Sequence, residues 1–166
     1  MSAYHQSLEK IKLESIVYID EMGIDVFIYR EYAYSKRGVK VIGRLSGKKY
    51  RRTSIIAAKF DKNIIAPLQY EGSMGSALFG HWFEFCLIPL LPPASTAILD
   101  NASFHNKKRL SLLAHKYGHK IIFLPPYSPE LNRIENFWTW LKDKLKKVVH
   151  IFDSFDEALR YCFNII

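Results

Sequence analysis

Three acids in this sequence have the type and setting to do chemistry. Asp20 ends the run Ser15-Ile-Val-Tyr-Ile, and Asp100 ends the run Thr96-Ala-Ile-Leu. An acid directly after a buried strand tends to sit at the carboxyl edge of a sheet, where α/β proteins place ligands. Glu135 follows Ile134, so it borders an apolar helical stripe and stays accessible. Carboxylates that converge without basic partners repel one another unless protons or cations intervene. Mg²⁺ is the natural neutraliser, because it takes oxygen ligands and keeps waters for a phosphate substrate. Two such ions about 3.5–4 Å apart would activate a nucleophile and stabilise the leaving oxygen of a phosphodiester. Taken singly, the same residue types also serve as turn formers and helix caps.

The elements that must position these acids follow from local pattern. Ser15 to Asp20 reads as a buried strand, and Asp25 to Tyr29 as its returning partner with Gly23 in the turn. Thr53–Phe60 and Asn63–Tyr70 read as a second hairpin joined at Asp61-Lys62. A helix is expected from Ser76 to Ile88, stopped by Pro89. Thr96–Asp100 and Lys120–Leu124 read as short buried strands around a helix over 104–117, with Gly118 closing that helix. Ser128 and Pro129 predict a helix start. From there Ile134, Trp138, Leu141, Leu145 and Val148 recur at spacings of 4, 3, 4 and 3, forming one stripe. Trp138 lies on that stripe and reads as packing. Ser154 and Glu157 predict a capping box for a last helix running to Ile166. The order predicts an α/β fold, a mixed sheet flanked by helices.

Composition narrows the function classes. At 166 residues and 49% hydrophobic, the chain is one domain with a real core, too apolar for a disordered protein. The two cysteines, Cys86 and Cys162, exclude a disulfide scaffold and fit a reducing, cytoplasmic compartment. Neither has a CxxC partner, so a structural zinc is not expected. No P-loop or Rossmann glycine pattern occurs, so nucleotide-driven chemistry lacks support. The most apolar stretch, Phe79 to Leu99, is broken by His81, Glu84 and three prolines, so no membrane span is expected. The N-terminus has no apolar run after its first charges, unlike a signal peptide. The net charge of +8 is uneven: residues 30–62 hold 11 basic and 2 acidic side chains, and residues 107–147 hold 10 and 3. Two basic blocks around an acidic centre suit a polyanion, and nucleic acid is the commonest one.

The motifs resemble a known family. Tyr18-Ile-Asp20-Glu21, Leu99-Asp100-Asn101-Ala-Ser-Phe-His105, and Phe123-Leu-Pro-Pro-Tyr-Ser-Pro-Glu-Leu-Asn132 with Ile134-Glu135-Asn-Phe-Trp138 resemble the DDE transposases. The match is to the bacterial insertion-sequence branch of the mariner-like superfamily, including the 34 residues between Asp100 and Glu135. The resemblance implies an RNase H-like fold over residues 15–166, after an N-terminal linker or short helix at 1–14. It implies Asp20, Asp100 and Glu135 as catalytic and metal-binding residues for Mg²⁺ or Mn²⁺, as two ions. Asn101, His105 and Asn132 would support them. DNA, both transposon ends and target, would be the partner. The basic blocks nominate Lys48, Lys49, Arg51, Arg52, Lys107, Lys108, Arg133, Lys142 and Lys146 as DNA contacts. The family activity is hydrolytic strand cleavage followed by strand transfer. Family members usually carry an N-terminal helix-turn-helix region, and about 14 residues precede the first strand here. A separate helix-turn-helix chain and a homodimer on DNA are therefore further expected partners. Two alternatives share the fold: a nuclease without strand transfer, and an inactive DNA-binding remnant. Such hydrolases generally use a fourth carboxylate, for which Glu21, Asp25 and Glu130 are local candidates.

Overall fold

The computed structural model describes residues 15–25, 35–39, 52–103, 105–126 and 128–165. The expected N-terminal element at 1–14 and the returning strand beyond Asp25 lie outside these residues. Five strands form one mixed sheet: β1 (Ile16–Asp25), β2 (Arg52–Phe60), β3 (Asn63–Glu71), β4 (Thr96–Leu99) and β5 (Lys120–Phe123). Their spatial order is β3-β2-β1-β4-β5. β1, β2 and β3 pair antiparallel, while β4 and β5 run parallel to β1. The helices are α1 (Ser76–Trp82), α2 (Lys107–Lys116), α3 (Glu135–Val148) and α4 (Phe155–Asn164). Among the described residues no helix is long and apolar enough to cross a membrane.

The alternation of β1 builds two cores. Ile16, Tyr18, Met22 and Ile24 face Trp138, Leu141 and Leu145 of α3 and Leu159 of α4. Val17 and Ile19 face Phe79 and Trp82 of α1 and Leu110 and Ala114 of α2. All five residues of the predicted stripe, Ile134 through Val148, are buried. The β2–β3 hairpin turns at Asp61, as expected, with φ at +52°. Gly118 follows α2 with φ at +77°, the left-handed geometry that glycine adopts without a Cβ clash.

Four expectations need correction. Gly23 is not in a turn but inside β1, paired with Ser54. A Cβ there would clash with the Arg52 guanidinium, so the missing side chain makes room for Arg52 to lie on the strand. The helix starting at Ser76 does not run uniformly to Ile88. It widens into a π turn at Phe83–Leu87 and tightens into a 3₁₀ turn at Ile88–Leu90, where Pro89 occupies the first turn. The helix expected to start at Pro129 is interrupted. Pro129–Leu131 is a separate 3₁₀ turn, Asn132 is extended, and α3 starts at Glu135. The break frees Asn132 to donate from Nδ2 to the Ile19 carbonyl at 3.1 Å, one residue past the last β1–β4 pair. Finally, α2 starts at Lys107, capped by Asn106 Oδ1 accepting from the Arg109 N–H at 3.1 Å. His105 therefore lies in the preceding loop rather than in the helix.

Candidate active site

β1 reaches farther than β4. The parallel register pairs Tyr18 with Ile98, so Asp20 emerges level with Asp100 just past the end of β4. The N-terminus of α3 brings Glu135 to the same edge. The three carboxylates line one cavity of about 370 Å³, together with Asn101, Pro125, Ser128 and Asn132. Among the described residues no three acid, histidine or cysteine side chains form a closed ligating cluster. The acids stand around the cavity rather than collapsed upon one another.

Each acid is held differently. Asp20 is more enclosed than Asp100. Its Oδ2 accepts from Trp138 Nε1 at 3.0 Å. Burial, with the neighbouring charges of Glu135 and Asp100, pushes its carboxyl up from 3.8 to about 7. Asp100 is half exposed, and its Oδ1 takes His105 Nε2 at 3.0 Å and the Ala102 N–H at 3.3 Å. The His105 bond holds the Asp100 carboxyl below the usual carboxylate range. Glu135 is half-buried at the first position of α3, where the helix dipole favours negative charge.

The supporting residues divide. Asn101 and Asn132 line the cavity, and Asn132 ties the Pro129–Asn132 segment to β1. His105 is buried behind Asp100, its ring edge-on to Phe79 at 4.4 Å, and it lines a second cavity. Trp138 is more than packing, because its indole N–H finds Asp20. A buried tryptophan N–H generally needs a partner, and that was the available signal. Tyr70, unremarkable in sequence, donates to Glu21 at 2.8 Å. Of the other candidate fourth carboxylates, Glu130 lines a separate cavity with Arg133 and Asn136.

Lys48, Lys49 and Arg51 lie outside the described residues. Arg52 lies across Gly23 at the far end of β1. Lys107 and Lys108 are exposed in the first turn of α2, with Lys107 Nζ over the Phe123 ring at 5.2 Å. Arg133 is exposed just before α3, its guanidinium over the Tyr18 ring at 5.8 Å. Lys142 and Lys146 are exposed along α3, on the side that carries Glu135 and Thr139.

This mixed five-stranded sheet flanked by helices is the RNase H-like fold of transposase and integrase catalytic cores. The Mos1 strand transfer complex superposes with a TM-score of 0.70 at 16% identity, covering 96% of this chain and 49% of that one. The Mos1 paired-end complex with the left transposon end gives 0.71 at 14%, covering 95% and 49%. The catalytic core domain of BIV integrase gives 0.53 at 13%, covering 90% and 81%. The DDE superfamily endonuclease family matches residues 15–158, and the chain belongs to it. The uncharacterized protein y4pE/y4sA of Sinorhizobium fredii (strain NBRC 101917 / NGR234) is 35% identical over 65 residues, covering 39% of this chain and 45% of that protein. The chain thus spans about half the length of the Mos1 chains it resembles.

Proposed function

We propose that residues 15–166 are the catalytic domain of a transposase that cuts DNA strands at element ends and joins them to target DNA. The observation that carries this reading is the single cavity shared by Asp20, Asp100 and Glu135. Three oxygen donors with Asp20 destabilised as an anion suit Mg²⁺ or Mn²⁺, and these three residues would hold two such ions. Bound there, the metal supplies Lewis acidity to the scissile phosphate and a water or 3′-hydroxyl nucleophile at neutral pH.

The chain's own residues do the rest. Trp138 and His105 each hold one oxygen of an acid and so orient the Asp20 and Asp100 carboxylates. Asn132 fixes the loop that lines the opposite wall. Cleavage places the oxygen of water on phosphorus and releases a 3′-hydroxyl. Joining then makes one phosphodiester as it breaks another, so no nucleotide energy source is needed. This agrees with the missing P-loop. Lys107, Lys108, Arg133, Lys142 and Lys146 would contact phosphates around the cavity, and Lys48, Lys49, Arg51 and Arg52 are further candidate phosphate contacts. End recognition would come from a helix-turn-helix chain, with two copies of this chain working as a homodimer on DNA in the cytoplasm.

Incubation with pre-cleaved element ends, a plasmid target and Mg²⁺ or Mn²⁺ tests the reading. Joined product is expected. Cleavage alone would replace it with the nuclease reading, and a mobility shift without either product with the inactive remnant.

A further inference from the structure

Glu21 follows Asp20 in β1, and strand alternation turns it to the opposite face of the sheet. Its neighbours on that face, Val17 and Ile19, are apolar and buried. Glu21 lines the second cavity, about 240 Å³, which Asp20, Asp100, Phe79 and His105 also line. Tyr70 on β3 fixes its Oε2 at 2.8 Å. Its Oε1 is buried without a hydrogen-bond partner, a costly state for a carboxylate oxygen. His105 pins Asp100 Oδ1. One cavity therefore joins two held carboxylates: Tyr70 on β3 holds Glu21, and His105 holds Asp100 in the loop after β4.

We propose that Glu21 is a positioning residue for Asp100, acting through His105, with Tyr70 holding the Glu21 carboxylate. The proposal rests on reading Asp100 as a metal ligand. Asp100 needs such support because it sits beyond the last residue of β4, half exposed, where the strand no longer fixes its orientation. Groups behind a ligating carboxylate orient it, and their loss costs about 10–100-fold in metal affinity or activity.

The test is Mn²⁺ binding to the full chain without DNA, read from the electron paramagnetic resonance signal of free Mn²⁺, beside melting curves in chelator. Glu21→Gln and His105→Ala should each weaken Mn²⁺ binding by about 10–100-fold while remaining folded. The double variant should bind no more weakly than the weaker single, because both act through one carboxylate. Tyr70→Phe leaves the Glu21 charge in place and should show a smaller loss of the same sign. Wild-type affinity in folded Glu21→Gln and Tyr70→Phe, or additive losses in the double variant, would overturn the proposal. Asp100→Asn separates the two levels. If it binds Mn²⁺ like wild type, the ligand reading itself fails. If it loses binding while Glu21→Gln keeps it, only the positioning role fails.

Discussion

Replacing Asp20 by Asn should stabilise the metal-free protein, and by an amount that depends on pH. The native state holds the Asp20 proton more tightly than the unfolded chain, because burial and two neighbouring acids disfavour the anion. Below pH 3.8 the group is protonated in both states and has no effect. As pH climbs from 3.8 toward about 7, the unfolded chain ionises first, and wild-type stability declines. At about 1.36 kcal/mol per pKa unit, the rise from 3.8 to about 7 corresponds to roughly 4 kcal/mol lost by pH 8. Asparagine is the same shape, cannot ionise, and still offers an oxygen to Trp138 Nε1. The variant should therefore exceed wild type by up to about 4 kcal/mol at pH 8 and match it near pH 3.5. Asp100 works the other way: its lowered pKa adds stability above the usual carboxylate range that is lost on acidification. It is present in both proteins and cancels in the difference. Urea denaturation in chelator across this pH range measures the effect, and added Mg²⁺ should then raise wild type and not the variant. Equal stability of the two proteins at pH 8 would refute the argument that Asp20 is a strained anion awaiting a cation.

Further outcomes follow from the same geometry. Trp138→Phe removes the hydrogen bond that favours the Asp20 anion, so the decline should still begin near pH 3.8 but extend to higher pH than in wild type, followed by denaturation at several pH values. The same variant should cost about 1–3 kcal/mol overall. Lys142 lies two turns along α3 from Glu135, roughly 10 Å at 1.5 Å per residue, suited to a neighbouring phosphate rather than to a shared metal. Changing Lys142 and Lys146 together to Ala should flatten the log–log salt slope of DNA binding by about 2 and weaken all sequences alike. An unchanged slope would mean that these lysines are merely solvated.

Local pattern made much of the fold legible. The α3 stripe fell at the helical repeat, and every one of its residues is buried. The β2–β3 hairpin turned where Asp61 stood, because short β-branched runs around a polar pair leave few other registers. Features set by contacts between distant segments were not legible. Gly23 signals a turn in isolation, yet here it accommodates Arg52 from another strand. Pro129 suits the start of either helix type, and only Asn132 reaching Ile19 shows why the helix restarts at Glu135. Asp100 could be singled out because β4 ends just before it, and Glu135 because it borders the stripe, whereas β1 runs on past Asp20 to Asp25 instead of ending there. The groups that hold these acids could not be singled out. Tyr70 and Glu21 are 49 residues apart, and Trp138 and Asp20 are 118 apart, so no local repeat links either pair. His105 precedes a helical pattern, and only the Asn106 side chain capping Arg109 N–H sets it in the loop.

The central claim is that Asp20, Asp100 and Glu135 together make one metal-dependent site for breaking a DNA phosphodiester. Its most direct measurement is cleavage of an element-end duplex with Mg²⁺ or Mn²⁺ by wild type and by Asp20→Asn, Asp100→Asn and Glu135→Gln separately, alongside DNA binding by each. Each variant should bind DNA and cut nothing, because loss of one ligand charge removes metal affinity and transition-state stabilisation together. Metal-dependent cleavage retained near the wild-type rate by any one of the three folded variants would contradict the claim.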